Sequence, residues 1–259
     1  STKWTIGARA IATLIAVWLG IPYGALVTPK TIPSPTDLAE SVPVMYYEHY
    51  MVANALVSLL RITLGFMAAT VVAVPLGIMM GAFTPVRAFF QPITGPLRFL
   101  PIAAVVPIFI IWFGFGETMK IAVLAMGTFV YMLPLVVETV SQVDDVYLRT
   151  AETLGASRWQ IIWTILVPSS LPAIFEAVRV MYGIGWTYVM LAEFVSESST
   201  GFGYGGIGYL INTLRRYGSL SDVIVAVVLI LLLGVLVDNL LTWIRSVLFP
   251  WATRGGAGE

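Results

Sequence analysis

The sequence predicts an all-α, polytopic membrane protein with six transmembrane helices. Three observations carry that prediction. Hydrophobic residues make up 58% of the chain and charged residues 11%, where a soluble domain carries roughly 25% charge. The mean hydropathy is +0.90. Uncharged apolar stretches of spanning length recur from one end of the chain to the other. A soluble globule of this size could not cover so much apolar surface with so few charges. Disordered, collagen-like and disulfide-stapled chains are excluded by the same composition. The 14 basic and 14 acidic residues cancel, so there is no electrostatic footprint for nucleic acid. There is no cysteine, which removes thiolate ligands and a thiol nucleophile. A single histidine, His49, cannot build a His-based metal cluster.

A span needs about 20 mostly apolar residues to cross about 30 Å of hydrocarbon. Span one, 10–29, is uncharged between Arg9 and Lys30. It has no clear small-residue cleavage site and reads as a retained helix rather than a signal peptide. Span two, 55–84, is free of charge beyond Arg61. Span three, 98–115, is uncharged between Arg98 and Glu117, and span four covers 120–140. Span five, 171–194, holds Glu176, Arg179 and Glu193, and span six, 222–248, holds Asp238 and Arg245. Together the 259 residues read as one transmembrane domain.

The connections differ in kind. Residues 28–50 contain four prolines and read as an ordered outer segment, with a short helix beginning at Thr36 or Asp37. Residues 84–98 read as a short inner loop, and 195–221 as a glycine-dense outer one. Lys3, Arg9, Arg87, Arg98, Arg149, Arg158, Arg245 and Arg254 fall on one side, against Lys30, Lys120, Arg215 and Arg216 on the other. The excess predicts that both termini are cytoplasmic.

The longest inner segment, 141–170, has the composition of a helix. Asp144 or Asp145 can cap one starting at Val146, with Glu152 inside it. Leu148, Ala151, Leu154 and Gly155 recur at three- and four-residue spacing, and Trp159 and Ile162 continue the face. The spacing predicts a helix over about 145–160, and Pro168 and Pro172 predict a break before span five. Two readings stay open on physics alone: insertion into another protein's groove, and a helix lying flat at the lipid interface.

Gly201–Phe202–Gly203–Tyr204–Gly205–Gly206 fits G-x-G-x-x-G letter for letter. A dinucleotide site would need a preceding strand and a following helix in a soluble unit. Here a membrane span precedes it, so the glycines read as turn and close-packing residues at the outer mouth. Gly77 and Gly81 form a small-xxx-small pair in span two.

Ionisable residues inside spans each cost at least about 2.5 kcal/mol when they face lipid. Arg61, Glu176, Arg179, Glu193 and Asp238 therefore fix helix packing or line a path. Glu176 and Arg179, three apart, are expected to pair. Arg61, near the outer end of span two, would snorkel to the interface or contact an anion. Phe109, Trp112, Met181, Tyr182, Trp186 and Met190, with Arg61 and Glu193, are the candidates for a translocation path.

Gly155, nine intervening residues, then Ile165–Leu166–Val167–Pro168 resembles the "EAA" signature of ABC-importer permeases. Aligned on Gly155, the signature's Glu and first Ala fall on Arg149 and Thr150, Ala151 is retained, and Val167 replaces the usual Leu. Thr153–Leu154–Gly155–Ala156–Ser157–Arg158 also has the family form, as does the run from Phe99–Leu100–Pro101 to Trp112–Phe113–Gly114–Phe115–Gly116–Glu117. Over roughly 55–245 the chain resembles permeases of the nitrate/sulfonate/taurine/bicarbonate branch. The resemblance implies a type I importer permease paired with a second copy. It implies docking of Leu148, Ala151, Glu152, Leu154, Gly155, Ala156, Ser157, Arg158 and Trp159 into one of two cytoplasmic ATPase subunits. It also implies an external solute-binding protein and an inner-membrane location.

ATP and magnesium would belong to the partner ATPase. No G-x-x-x-x-G-K-[ST] occurs in the sequence, so a P-loop cannot be formed here. A secondary transporter or channel working without an ATPase would share the spans, and often shows inverted repeats. An intramembrane enzyme would need a nucleophile–base or metal constellation, for which these spans offer little.

Overall fold

The computed structural model describes residues 33–195 and 204–254, together with Arg9, Thr13 and Trp18. Span one lies outside the described residues. Among those described, every regular element is a helix.

Helix α1, Pro35–Tyr47, is capped by Ser34 and starts one or two residues before the expected Thr36 or Asp37. Ser34 and Asp37 cap each other: the Asp37 amide donates to Ser34 Oγ, and the Ser34 amide donates to Asp37 Oδ2 at 2.8 Å. Hydrogen bonds from Ser34, first from its amide and then from its side chain, hold the Asp37 carboxyl below the usual carboxylate range. Helix α2, Met51–Ala82, and helix α5, Glu117–Ser141, are long enough to cross a bilayer. Between them lie α3, Thr84–Leu97, and α4, Ile102–Phe113, bent by 97° to one another.

That bend corrects the expectation of a single third span over 98–115. Twelve residues of α4 rise only about 18 Å, so α4 crosses only if paired with α3. The supposed loop 84–98 is itself mostly helical. Pro85 lies in the first turn of α3, where its missing N–H costs nothing, and Pro101 caps α4.

A second correction concerns the segment after α5. Helix α6, Asp145–Thr153, ends early, and α7, Arg158–Ile161, follows as a separate short helix. From α7 the chain continues through one π-helical turn, Ile162–Leu166, into α8, Val167–Phe194. Pro168 and Pro172 therefore sit inside a continuous helical run rather than ending one. The wider π turn relieves the clash a proline ring makes with the carbonyl four residues back. Beyond α8 lie α9, Ile207–Tyr217, inside the supposed outer loop, then α10, Leu220–Leu248, and α11, Pro250–Arg254.

Among the described residues, four helical runs, α2, α5, α7–α8 and α10, are apolar and long enough to span, and the bent pair supplies a fifth if it crosses as one unit. The bundle is organised around α5, which packs on both α2 and α8. Gly65, Ala69, Ala73, Gly77 and Gly81 stand four apart on α2 and form its contact stripe. A Cβ added at Gly77 would lie 2.7 Å from Val136 Cγ1, and one at Gly81 would lie 2.6 Å from Val140 Cβ. Both neighbours are stiff β-branched side chains, so the α2 and α5 backbones can approach only across glycine. Gly77→Leu is accordingly expected to cost about 1–3 kcal/mol by overpacking. It should lower the melting temperature of the detergent-purified protein, and an unchanged melt would remove the close approach as a cause.

Helix α10 is the least enclosed of the described long helices. Leu231, Leu232, Leu236 and Trp243 are all more than half exposed along it, an apolar face suited to lipid or a second chain.

Candidate functional site

Two polar constructions stand at opposite ends of the bundle. The first is the segment from α6 to the π turn. Asp144 caps α6, its carboxylate accepting from the Val146 amide at 2.9 Å. At the other end Gly155 takes φ +81. Its amide donates to the Glu152 carbonyl, and that of Ala156 donates to the Ala151 carbonyl, both at 3.0 Å. This is the paired C-terminal closure that needs a left-handed residue, which glycine adopts without penalty. Two residues on, Ser157 and Gln160 form a reciprocal cap that starts α7. Thr153–Leu154–Gly155–Ala156–Ser157–Arg158 is thus a helix stop, a corner and a helix start.

The corner divides the segment into two faces. Ala151, Ile161, Ile162 and Leu166 are buried, the last two in the cluster that joins α2, α5 and α8, and Leu148 packs partly against it. Leu154, Trp159 and Trp163 point outward, with Leu154 82% exposed. The ring centroids of Trp159 and Phe83 lie 5.4 Å apart, linking the segment to the end of α2. Glu152, Gly155, Ser157 and Arg158 are exposed and Ala156 is half-buried.

The second construction is a buried ion network. Arg61 is fully buried in α2. Its Nε and Nη2 donate to the two oxygens of Glu117 at 2.6 Å each, a bidentate pair. Nη1 donates to Glu193 Oε1 and to the Gly205 carbonyl at 2.7 Å, and Nη2 also donates to the Tyr204 carbonyl at 3.1 Å. All five guanidinium N–H groups are therefore used. Lys120 Nζ, equally buried, reaches Glu117 at 3.3 Å. Glu193 accepts from Ser58 Oγ and from the Gly208 amide, both at 2.8 Å. Two cations and two carboxylates balance, and they tie α2, α5, α8 and the start of α9 together.

Glycine again permits the approach. Gly206 has φ +94, and a Cβ there would overlap the Glu193 carboxylate. This is the role of the glycine run that mimicked a dinucleotide fingerprint; Gly201 and Gly203 lie outside the described residues. Asn54 receives the Gly206 amide at 3.0 Å.

These positions revise the reading of Arg61. It does not snorkel to an interface: it is buried, and two carboxylates pair with it. Nor is Lys120 a loop charge. Glu117, Lys120, Ser58 and Asn54 were not recognised as partners from sequence. The one available signal was a Glu–Lys spacing of three at the start of α5.

The remaining path candidates do not gather on one lumen within this chain. Tyr182 and Trp186 are buried with Ile62, Leu124 and Val189, and the Tyr182 hydroxyl lies 3.0 Å from Thr63 Oγ1. Met181 packs against the cluster that joins α2, α5 and α8, and Met190 against the cluster formed by α1, α9 and the first turns of α2 and α10. Phe109 is stacked on Phe113, and Trp112 is 68% exposed. Glu176 and Arg179 do pair, at 3.0 Å, and Asp238 and Arg245 extend the pair into a brace between α8 and α10.

The described residues form a bundle of helices long and apolar enough to cross a membrane, with an outward-pointing corner at one end. Residues 73–248 match the family described as binding-protein-dependent transport system inner membrane component, and the chain belongs to it. The taurine transport system permease protein TauC of Escherichia coli is 28% identical over 256 residues, covering 97% of this chain and 91% of that protein. A putative ABC transporter permease protein of Methanocaldococcus jannaschii is 33% identical, covering 78% of this chain and 73% of that one. Other relatives are named as permeases for aliphatic sulfonates, nitrate and bicarbonate. Among solved structures, a chain of the inward-facing MetNI methionine ABC transporter superposes with a TM-score of 0.67 at 17% identity, covering 80% of this chain and 98% of that one. It shows the same fold.

Proposed function

We propose that the chain is the membrane subunit of an ATP-driven importer for a small anionic solute of the sulfonate, nitrate or bicarbonate class, and that its α6–α7 corner is the ATPase-docking element. The observation that carries the docking assignment is the split of that corner. One side is packed into the core shared by α2, α5 and α8, while Leu154, Trp159 and Trp163 stand in the open. An apolar surface held this rigidly suits a partner's groove. Force on the corner passes directly into three spans.

Two copies of the chain pair through exposed apolar faces such as that of α10, and the path runs between them. A path between copies is lined by groups exposed on each copy, so Trp112 and the partly buried Phe109 suit it better than Tyr182 or Trp186. The N-terminus and the α6 end are cytoplasmic. All the spans form one transmembrane domain of an inner-membrane protein, with an external binding protein docking opposite α6. ATP and magnesium are held by the partner ATPases, and the chain makes and breaks no bonds. Closure of the ATPases selects between two packings of the spans.

Proteoliposomes holding the chain with its cognate ATPase and binding protein are expected to accumulate ³⁵S-taurine or nitrate only with ATP inside the ATPase compartment. Equal flux from the chain alone, without ATPase, would establish the secondary-carrier or channel alternative instead.

A further inference from the structure

At the α6 end of the bundle, α2, α3 and α5 enclose a basin of about 520 Å³. Its wall on α3 is a polar stripe dictated by the sequence. Arg87, Gln91, Thr94 and Arg98 follow one another at spacings of four, three and four, which places all of them on one helix face. The intervening Phe89, Phe90, Ile93 and Leu97 are apolar. Across the basin, α5 contributes Glu138 and Ser141.

The two guanidinium groups differ from the arginines inside α2, α8 and α10. Arg61, Arg179 and Arg245 each have a carboxylate partner. Among the described residues, neither Arg87 nor Arg98 has one within 4.0 Å. Arg87 Nη1 makes only a long contact to Ser141 Oγ at 3.4 Å, and Arg98 lies over the Phe99 ring at 4.9 Å. Glu138 is engaged by Gln142, leaving the basin with a formal charge of +1. A planar guanidinium fork fits an oxoanion, Met80, Leu133, Pro134 and Val137 make the rest of the wall largely apolar, and the volume is in the range of small-ligand sites.

We propose that this basin is an oxoanion-binding site, taking a sulfonate, phosphate or similar group on the Arg87 or Arg98 guanidinium, with the Gln91 side-chain amide supplying a neutral hydrogen bond. The anion is either the soluble solute leaving the path or the phosphate of a lipid headgroup. The first source rests on the importer reading; binding itself does not.

The test uses the full chain in phosphatidylcholine nanodiscs, equilibrated with ³⁵S-taurine or ³²P-orthophosphate. Saturable binding near one anion per chain is expected. R87Q/R98Q should weaken it about tenfold or more, as loss of charge-assisted hydrogen bonds implies. R87K/R98K, which keeps both charges, should stay within about threefold and guards against simple misfolding. If phosphatidylglycerol added to the nanodisc displaces both probes from the wild type, the lipid phosphate is the occupant; if it does not, the soluble anion is. Binding of every probe unchanged in R87Q/R98Q, or no saturable binding together with no phosphatidylglycerol enrichment, overturns the site. Anion binding by a chain that supports no ATP-driven uptake would refute the importer reading while leaving the site intact. Uptake with variant-independent binding would do the reverse.

Discussion

Arg61→Leu is expected to cost the folded bundle about 3–5 kcal/mol, the usual loss when one partner of a buried ion pair is removed. The substitution leaves Glu193, fully buried, and Glu117, mostly so, without the cation that both accept from. It also frees the Gly205 and Tyr204 carbonyls, so the chain entering α9 loses its anchor. Arg61→Lys should be nearly as damaging, because an ammonium has three donors and no planar fork. Adding Glu117→Gln and Glu193→Gln to Arg61→Leu should recover part of the loss, since the stranded charges are then neutral. Thermal melting of the detergent-purified variants measures all of this. If Arg61→Lys instead melted like the parent and changed only the apparent affinity for an anionic solute, the network would be a solute contact and the structural role would be wrong.

Leu154→Arg is expected to weaken ATPase binding at least tenfold and to abolish ATP-driven uptake, with the melt of the isolated chain unchanged. A leucine side chain taken fully out of water contributes about 1.5–3 kcal/mol, and the replacement would place a charge in the partner's groove. Leu154 is 82% exposed in the isolated chain, so the fold itself should not register the change. Gly155 is a less direct probe. Nothing lies within 4 Å of a Cβ added there, yet its φ of +81 penalises any side chain by about 1–2 kcal/mol. Gly155→Asn, which tolerates that conformation, should therefore assemble better than Gly155→Trp. Co-purification of the ATPase with each variant reads the result. Full assembly and uptake in Leu154→Arg would place the docking surface elsewhere.

Both probes show how unevenly the site could be read from sequence. Gly155 was visible as the pivot of a family signature, and the spacing around it predicted a small-residued helix face. Its physical role is different: it closes α6 in the left-handed conformation, and Ser157 and Gln160 open the next helix. A glycine followed by a capping serine and, three residues later, glutamine was the local cue for two helices rather than one. Arg61 and Glu193 were each legible as costly residues inside spans. Their partnership was not, because they stand 132 positions apart and periodicity carries no information on which helices meet. Glu117 appeared only as the boundary of a span, though it makes the bidentate contact.

What the sequence determined by itself is the bilayer class, the approximate position of the long spans and the family. Each depends on properties summed along a short window: apolar length against membrane thickness, turn chemistry, and the order of residues around Gly155. Tertiary structure decided the remainder. Pro168 passes inside a helix because a π turn precedes it, and α4 is too short to cross unaided because the chain bends by 97° between it and α3. Arg61 ties three helices together because α5 and α8 bring carboxylates to it. Burial, pairing and helix bending depend on which distant surfaces meet, and no local pattern encodes that meeting.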